Sequence, residues 1–400
     1  MGGPVVIIGA GQAGQKAAET LRKLGFGDEI VMVGAERHPP YQRPPLSKKF
    51  LKGEIASEQL WLQGADFFET QGIRLITGAE ARHIDAAARR VALSDGTELS
   101  YAKLLLATGC RPRVLPIPGA HLAGIHVLRT IDDVSALSAA LVEARNVAII
   151  GGGYVGLEVA AVLASLGKHP TVIEAQDRLL KRVAGPDVSQ YFTDLHRNGG
   201  VEILLGTSVA GLVGETKIEG VALGDGRLVP ADLALMAVGG AACAEIAAGA
   251  GVACQDGILV DATCATSVPD IYAAGDCTRF PSARYGRQIR LESVQNANDQ
   301  AKAAAMAMAG QPVAYDPVPW FWSDQFDTKL QIAGLSQDYD RVTVDGDPAK
   351  GSFSVCYWQG DKLIAVDAIN DPRAYMRGRR QLEEQGGAQG ASRPPRQRRQ

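Results

Sequence analysis

Residues 4–14 read Pro4-Val-Val-Ile-Ile-Gly-Ala-Gly-Gln-Ala-Gly14, an apolar run that ends in spaced glycines. A helical pattern continues to Leu24, and a second apolar run, Glu29-Ile-Val-Met-Val-Gly-Ala-Glu36, follows it. An apolar strand, a glycine turn, a helix and another strand form a β-α-β unit with parallel strands. The pattern therefore predicts a dinucleotide-binding domain in this part of the chain.

The same pattern occurs again in residues 146–174. It begins with Asn146-Val-Ala-Ile-Ile-Gly-Gly-Gly-Tyr-Val-Gly156, continues as a helix to Leu166 and ends in the strand Thr171-Val-Ile-Glu174. Two β-α-β units in one chain indicate two dinucleotide-binding domains. We therefore expect an α/β fold with two Rossmann-like domains.

The glycines of each motif have separate tasks. Gly9 permits the tight turn, and Gly11 lets the backbone approach a pyrophosphate. Gly14 lets the helix pack close to the strand, so that the positive helix N-terminus faces the phosphates. The second motif supplies the same positions as Gly151, Gly153 and Gly156.

A carboxylate follows each motif at the end of the second strand. Glu36 can accept hydrogen bonds from ribose hydroxyls. Glu174 repels a 2′-phosphate and therefore favours NAD over NADP, and Ala175, where an arginine could stand, strengthens that preference. Arg182 lies nearby, and we expect it to be solvated or to face the pyrophosphate.

A third segment indicates that one of the dinucleotides is a flavin. Pro269-Asp-Ile-Tyr-Ala-Ala-Gly-Asp276 ends an apolar strand in a glycine and a carboxylate. Asp276 can accept hydrogen bonds from ribityl hydroxyls, and we expect the N-terminus of the following helix to suit the pyrophosphate. With Thr108-Gly109 closing an earlier strand, this resembles the FAD enzymes of the two-dinucleotide-domain oxidoreductase superfamily. The resemblance extends from about residue 4 to about residue 370.

That resemblance implies a FAD domain that is split by an inserted NAD domain. After Pro317 aromatic residues cluster and hairpin-like strands follow, which indicates a small α+β domain. The last residues lack apolar periodicity and are expected to be disordered. We place the FAD domain at 1–108 and 240–318, the NAD domain at 109–239, the C-terminal domain at 319–384 and the tail at 385–400.

The composition argues against several classes of protein. The chain has 400 residues with 41 basic and 44 acidic side chains, a net charge of -3, so no nucleic-acid-binding surface is expected. No apolar run reaches the ~18 residues of a membrane span, so we expect no membrane association and a cytoplasmic location. The six cysteines form no Cys-x-x-Cys pair and have no zinc-site spacing with histidine, so we expect free thiols and no metal site.

The region around residue 40 separates this chain from thiol-dependent relatives. No cysteine precedes Cys110, and the sequence here is Tyr41-Gln-Arg43-Pro44-Pro45-Leu46-Ser47-Lys48. This argues against disulfide, peroxide or coenzyme A disulfide chemistry through a thiol beside the flavin.

The same segment resembles the NADH-dependent FAD ferredoxin reductases of bacterial oxygenase systems, the putidaredoxin reductase and biphenyl-type dioxygenase ferredoxin reductase family. Residues 128–130, 291–297 and 318–325 match that family in order and spacing. Residues 239–243 depart from it, because Gly-Gly-Ala-Ala-Cys stands where relatives carry a Pro-Asn pair. We expect this departure to alter a surface loop and to leave the chemistry unchanged.

The resemblance implies an enzyme that takes electrons from NADH into FAD and passes them singly to a [2Fe-2S] ferredoxin. That ferredoxin would feed a cytochrome P450 or a Rieske dioxygenase. Lys48 is implied near flavin N5 and paired with Glu158, where its charge would favour the reduced flavin. Trp320 and Trp322 either lie between flavin and ferredoxin or pack the domain interface. The protein would be a monomer or homodimer.

An acidic ferredoxin would dock on a basic patch. The candidate arginines for this patch are Arg290, Arg373, Arg377, Arg379 and Arg380.

The motifs and the resemblance together give a set of candidate site residues. The catalytic candidates are Lys48 and Glu158. The FAD candidates are Gly9, Gly11, Ala13, Gly14, Glu36, Arg43, Pro44, Lys48, Ala81, Thr108, Gly109, Arg129, Gly275, Asp276, Glu292, Val294, Trp320 and Trp322. The NAD candidates are Gly151, Gly153, Tyr154, Val155, Gly156, Glu158, Glu174, Arg182 and Gly239.

Three alternatives use the same scaffold. A rubredoxin reductase or a monodehydroascorbate-type reductase differs mainly in surface charge, which the sequence separates poorly. An apoptosis-inducing-factor-like protein would need a strongly basic DNA-binding surface, which a net charge of -3 disfavours. An NADH oxidase would need the cysteine that is lacking near residue 40.

Overall fold

The computed structural model describes residues 3–387. Its first sheet is parallel throughout, and its central strand, Val5–Ile8, is fully buried. A strand from late in the chain, Ile271–Ala273, closes one edge beside Lys103–Leu106. This pairing confirms that the first domain is split. The strand order is Ile271–Ala273, Lys103–Leu106, Val5–Ile8, Ile30–Gly34 and Ile73–Thr77.

The second motif builds a second parallel sheet of five strands. Its central strand, Asn146–Ile150, is again apolar and buried, and the helix Tyr154–Ser165 crosses over to His169–Ile173. The prediction of two Rossmann-like domains is therefore confirmed. The strand order is Glu202–Leu204, His169–Ile173, Asn146–Ile150, Leu233–Met236 and Ile125–His126.

The two passages of the chain between these domains run side by side. Cys110–Pro112 leaves the first domain and pairs antiparallel with Gly240–Ala242, which returns to it. The Thr108 hydroxyl donates to the carbonyl of Cys243 at 2.6 Å and ties the two passages together. The expectation of a surface loop at 239–243 is wrong, because residues 240–242 are a half-buried strand of the domain junction.

Three smaller sheets accompany the first two domains; two are antiparallel, and in the third Ile258–Leu259 pairs parallel with Thr278–Ser282. Asp95-Gly96 and Asp225-Gly226 lie in turns that join paired strands, which is typical of Asp-Gly in hairpins. The helix that follows Asp276 begins only at Val294, after the strands Thr278–Ser282 and Arg287–Ile289. The strands are Ala81–Asp85, Arg90–Leu93 and Glu98–Ser100; Val209–Val213, Gly220–Leu223 and Leu228–Pro230; Ile258–Leu259, Thr278–Ser282 and Arg287–Ile289.

The C-terminal domain is an antiparallel sheet covered by one long helix, Pro372–Gly387. That helix passes the boundary that we place at residue 385, and residues 388–400 of the expected tail lie outside the described part of the chain. The strand order is Trp320–Gln325, Thr328–Gly334, Lys362–Ile369, Ser352–Gln359 and Arg341–Asp347.

Small residues let the helices of the first domain approach each other closely. Gln12–Lys23 packs on Val294–Met308 through alanines that are fully buried on both helices. Between residues 3 and 387 no helix combines the length and the apolar character needed to cross a membrane. The remaining helical segments are Pro44–Ser47, Ser57–Leu60, Phe67–Thr70, Ile131–Leu141, Pro186–Asn198, Glu245–Gly249 and Pro348–Lys350.

Candidate active site

A single cavity of about 2130 Å³ extends across all three domains. Small-ligand pockets usually measure about 300–1,000 Å³, so this one has room for two dinucleotides. Both glycine motifs line it, and so do the strand end before Asp276 and the aromatic start of the C-terminal domain. The cavity is thus where the sequence predictions converge.

The first glycine motif fits its predicted tasks. Gly9 has φ +117°, and a Cβ atom there would lie 2.0 Å from the carbonyl oxygen of Ala107. A Cβ atom on Gly14 would lie 1.9 Å from the oxygen of Gly9, so this position must remain bare for the helix to pack. A Cβ atom on Gly11 would meet no protein atom within 4 Å, because Gly11 faces the cavity at the N-cap of Gln12–Lys23. The open space at Gly11 and the helix N-terminus fit a pyrophosphate.

The second motif repeats this geometry. Gly151 has φ +111° and lies against the carbonyl of Ala237, and Gly156 packs on the oxygen of Gly151. Gly153 is the N-cap of Tyr154–Ser165 and has no protein atom within 4 Å of its Cβ position. A second pyrophosphate therefore fits beside Gly153.

Glu36 lies at the end of its strand, as predicted, and is already hydrogen-bonded. Arg43 Nη2 donates to its carboxylate at 2.5 Å, and the Tyr41 hydroxyl donates to the other oxygen. Burial raises the pKa of Tyr41, so its hydroxyl keeps the proton that it donates. An ionised carboxylate accepts about four hydrogen bonds, so Glu36 retains capacity for ribose hydroxyls.

A cluster of charged groups surrounds the turn at Gly275-Asp276. Arg129 Nη2 lies 2.8 Å from the Asp276 carboxylate, and the Cys110 thiol lies 3.6 Å from it. Burial raises the pKa of Cys110 to about 12, so this thiol is not a reactive thiolate. Glu292 lines the same wall and accepts from Arg290. Asp276 thus faces the cavity while Arg129 fixes its orientation.

Lys48 and Glu158 join the first domain to the second inside the cavity. Lys48 Nζ lies 2.6 Å from Glu158 Oε2, and the Glu158 side chain is only 5% exposed. The Ser47 hydroxyl donates to the same carboxylate at 2.5 Å, and the Ser323 hydroxyl donates to its other oxygen at 2.6 Å. The pairing of Lys48 with Glu158 that the resemblance implied is therefore present in the structure.

Aromatic side chains form another part of the cavity wall. The Tyr154 and Phe321 rings lie 4.6 Å apart, and those of Trp320 and Trp322 lie 5.8 Å apart, centroid to centroid. The Arg379 guanidinium lies 5.5 Å from the Trp320 ring centroid. Trp320 and Trp322 are both half-buried and line the cavity, and Trp320 also packs against the core of the C-terminal domain.

Glu174 is held at the far end of the second motif by backbone amides. Gly152 N donates to Oε2 at 2.7 Å, and Gln176 N donates to Oε1 at 2.8 Å. These two bonds fix a negative charge where the ribose of a bound nucleotide would lie. Arg182 approaches Gly239, whose Cβ position is 3.2 Å from Arg182 Nη2, on the same side of the cavity.

Nearly every candidate residue from the sequence lines this one cavity. The exceptions are Gly14 and Gly156, which lie behind it as the packing positions of their helices. The prediction that Arg290 belongs to the docking patch is wrong, because its side chain is only 16% exposed and is paired with Glu292 and Asp256.

Some polar residues around the Lys48–Glu158 pair escaped the sequence analysis. Ser323 and Gln325 lie in the quoted segment 318–325 but received no role there. Their only signal is the alternation of polar and aromatic residues along that strand. His196 carried no signal at all, since it is one polar residue on an amphipathic helix.

Comparison with known proteins assigns this arrangement to a family. The model described as pyridine nucleotide-disulphide oxidoreductase matches residues 3–301, and the one described as reductase C-terminal matches residues 320–392. A probable ferredoxin reductase from Castellaniella defragrans is 45% identical over 380 residues, which cover 94% of this chain and 93% of that protein. The chain belongs to the ferredoxin reductase family of bacterial oxygenase systems.

Other ferredoxin reductases match it over a similar extent. Putidaredoxin reductase from Pseudomonas putida is 40% identical over 374 residues, or 92% of this chain and 89% of that one. The covalent putidaredoxin reductase–putidaredoxin complex superposes with a TM-score of 0.92 at 38% identity, covering 97% of this chain and 96% of that one. The ferredoxin reductase for the CYP199A2 system from Rhodopseudomonas palustris gives 0.90 at 40% identity, covering 92% and 91%. The identification from Tyr41–Lys48 and the fold class are confirmed, and the family implies a flavin and a pyridine nucleotide.

Proposed function

We propose that this reductase holds FAD on its first glycine motif and NADH on its second, and supplies electrons to a [2Fe-2S] ferredoxin that feeds an oxygenase. The observation that carries the proposal is the Lys48–Glu158 pair, 2.6 Å long, where the two halves of one cavity meet. FAD, when bound, supplies the capacity to take two electrons from NADH together and to release them one at a time.

The chain's own residues contribute position and charge. The helix N-termini at Gly11 and Gly153 direct backbone N–H groups towards the two pyrophosphates. Lys48 places a positive charge in the cavity, and Glu158 keeps its ammonium group in one position. Tyr154, Phe321 and the tryptophans exclude water from this region, which strengthens each electrostatic contact.

The proposal is tested by anaerobic titration of the FAD-bound protein with NADH, followed by mixing with oxidised [2Fe-2S] ferredoxins. We expect the flavin absorbance to bleach at one NADH per FAD and one ferredoxin to be reduced rapidly. Bleaching without reduction of any ferredoxin, but with reduction of rubredoxin, would favour the rubredoxin reductase alternative. A flavin that NADH leaves oxidised contradicts the proposal.

Coenzyme choice is expected to follow the fixed charge of Glu174. The double variant Glu174→Gln with Ala175→Arg removes a negative charge and adds a positive one where a 2′-phosphate would lie. We expect the ratio of kcat/KM for NADPH to that for NADH to rise about 100-fold, since each charge change is worth roughly a factor of ten. Steady-state kinetics with both coenzymes measure this ratio. Glu202→Gln, an exposed acid of the same sheet, is the control and should leave the ratio unchanged.

Ferredoxin docking is expected to depend on one face of the helix Pro372–Gly387. Arg373, Arg377 and Arg380 are exposed at positions i, i+4 and i+7, and Arg377 and Arg380 are 69% and 81% exposed. Arg379 connects the same helix to Trp320. These three exposed arginines would attract an acidic partner to the aromatic wall of the cavity.

Reversal of all three charges to glutamate should reduce kcat/KM for ferredoxin by about tenfold or more at low ionic strength, because long-range attraction raises the encounter rate. The loss should shrink as salt is added. Stopped-flow reduction of the flavin by NADH should be unaffected. Arg90→Glu, an exposed arginine away from this helix and the cavity, is the matched control. An equal loss in that variant, or no loss in the triple variant, contradicts this docking face.

A further inference from the structure

The strand Trp320–Gln325 presents alternate side chains to the second domain. Phe321 stacks on Tyr154, and Ser323 donates to Glu158. The two contacts have matching spacings. Phe321 and Ser323 are two strand residues apart, which spans about 6.7 Å, and Tyr154 and Glu158 are four helical residues apart, which spans about 6 Å. Gln325, the next residue on this face, reaches His196 on a different helix. The C-terminal domain thereby contacts the ion pair of the active site.

The direction of the hydrogen bonds is fixed by the donors and acceptors present. The Glu158 carboxylate only accepts, so the Ser323 hydroxyl must give its proton to Oε1 at 2.6 Å. Ser323 Oγ then accepts from Gln325 Nε2 at 3.1 Å, and Gln325 Oε1 faces His196 Nε2 at 2.8 Å. His196 Nε2 must therefore carry a proton. Every donor in the chain from His196 points towards Glu158.

His196 is held neutral in this series of hydrogen bonds. Its side chain is fully buried, and burial lowers the pKa of His196 to about 4, although the bond to Gln325 acts in the opposite direction. Its Nδ1 has no hydrogen-bond partner among the described residues. A neutral ring with its proton on Nε2 is the tautomer that Gln325 requires.

We propose that Ser323, oriented by Gln325 and His196, is a positioning residue that fixes the Glu158 carboxylate and, through it, Lys48. The inference rests on the proposed reduction of FAD by NADH. Without the Ser323 hydroxyl, Oε1 of Glu158 is a buried charged acceptor with no donor, and the carboxylate is held through Oε2 alone, by Ser47 and Lys48. The partner that holds the Lys48 ammonium group in the cavity is then less tightly fixed. Residues from all three domains thus determine the position of one charge.

The test is a comparison of Ser323→Ala with the wild type in stopped-flow reduction of the FAD-bound protein by NADH. We expect the rate at saturating NADH to fall about tenfold, as for a displaced catalytic group. The dissociation constant for NADH should stay within about twofold, because Ser323 does not itself line the cavity in which the nucleotide would bind. The long-wavelength charge-transfer band between nicotinamide and flavin should weaken. Ser323→Thr retains the hydroxyl and should restore most of the rate.

Two further variants separate positioning from a general loss of structure. In the Glu158→Gln background, Ser323→Ala should add little, because its effect passes through Glu158. Asp324→Asn, on the opposite face of the same strand and paired with Lys329, should behave as wild type. A histidine nitrogen NMR spectrum should show His196 protonated on Nε2, and Gln325→Met should shift that signal without any coenzyme being present.

The inference is overturned if Ser323→Ala reduces its flavin at the wild-type rate. It is also overturned if the full loss persists in the Glu158→Gln background, or if the loss lies entirely in NADH binding. A failure of the proposed acceptor looks different. In that case NADH reduces the wild-type flavin but ferredoxin stays oxidised. The ratio of the flavin reduction rates in Ser323→Ala and the wild type still decides whether Ser323 positions Glu158.

Discussion

Gly11→Val is expected to yield a protein that folds but does not hold FAD. The backbone at Gly11 has φ -103° and ψ -160°, an extended conformation that valine adopts without strain. Its side chain would meet no protein atom within 4 Å and would instead fill the space next to the helix N-terminus. We expect FAD affinity to fall by about 100-fold, the upper end of the usual cost of overpacking. The flavin absorbance of the purified protein and a fluorescence titration with FAD measure this loss.

Gly153→Val is the matched variant in the second motif. This variant should retain bound FAD and lose NADH binding instead, since its side chain would fill the corresponding space beside Tyr154–Ser165. Gly27→Val, at an exposed glycine with no contact, should change neither ligand. Thermal unfolding of the apoproteins should be the same in all three variants. If Gly11→Val kept its FAD and Gly153→Val lost it, the assignment of the two motifs would be reversed.

The fold was predictable because its main signals are local. A run such as Val5–Ile8 is apolar at every position and β-branched, which, with the glycines that follow it, favours a strand buried on both faces. The glycine spacing that follows leaves one solution for the turn, and the observed strands and helices agree with the predicted ones within a few residues. The prediction of a surface loop at residues 239–243 was wrong because their partner strand, Cys110–Pro112, is distant in sequence. No local pattern could reveal that pairing.

The site residues that lie in motifs of the family could be predicted from the sequence. Those that are brought together only by tertiary contacts could not. Lys48 and Glu158 came from matched motifs, and the structure brings them together. The link from Ser323 to His196 depends on two domains meeting, which a single sequence does not reveal. Burial of Arg290 depends on tertiary packing beside Asp256, which is distant in the sequence, as well as on Glu292 two residues away. Such contacts are seen only in the folded structure, because each of these residues taken alone could equally be an ordinary solvent-exposed polar residue.

Lys48→Met is expected to slow the reduction of bound FAD by NADH by about 100-fold, the usual cost of removing one preorganised electrostatic contact in a closed site. Lys48 Nζ lies 2.6 Å from Glu158 and 3.2 Å from the carbonyl of Pro44, and its side chain is 19% exposed. Methionine keeps most of the length of the side chain and removes the charge together with its N–H donors. The flavin midpoint potential should fall as well, by about 30 mV for each factor of ten in the two-electron equilibrium. Stopped-flow absorbance and a dye-linked potentiometric titration measure the two effects.

The same variant leaves Glu158 buried without its cation, so part of the loss could come from a displaced carboxylate. Lys48→Met combined with Glu158→Gln removes that charge and isolates the role of the cation. We expect the double variant to stay slow, because the missing group is the positive charge itself. Lys49→Met, its exposed neighbour, should reduce flavin at the wild-type rate. Recovery of the full rate in the double variant would mean that Lys48 serves only to neutralise Glu158, and wild-type behaviour of Lys48→Met would remove Lys48 from the chemistry.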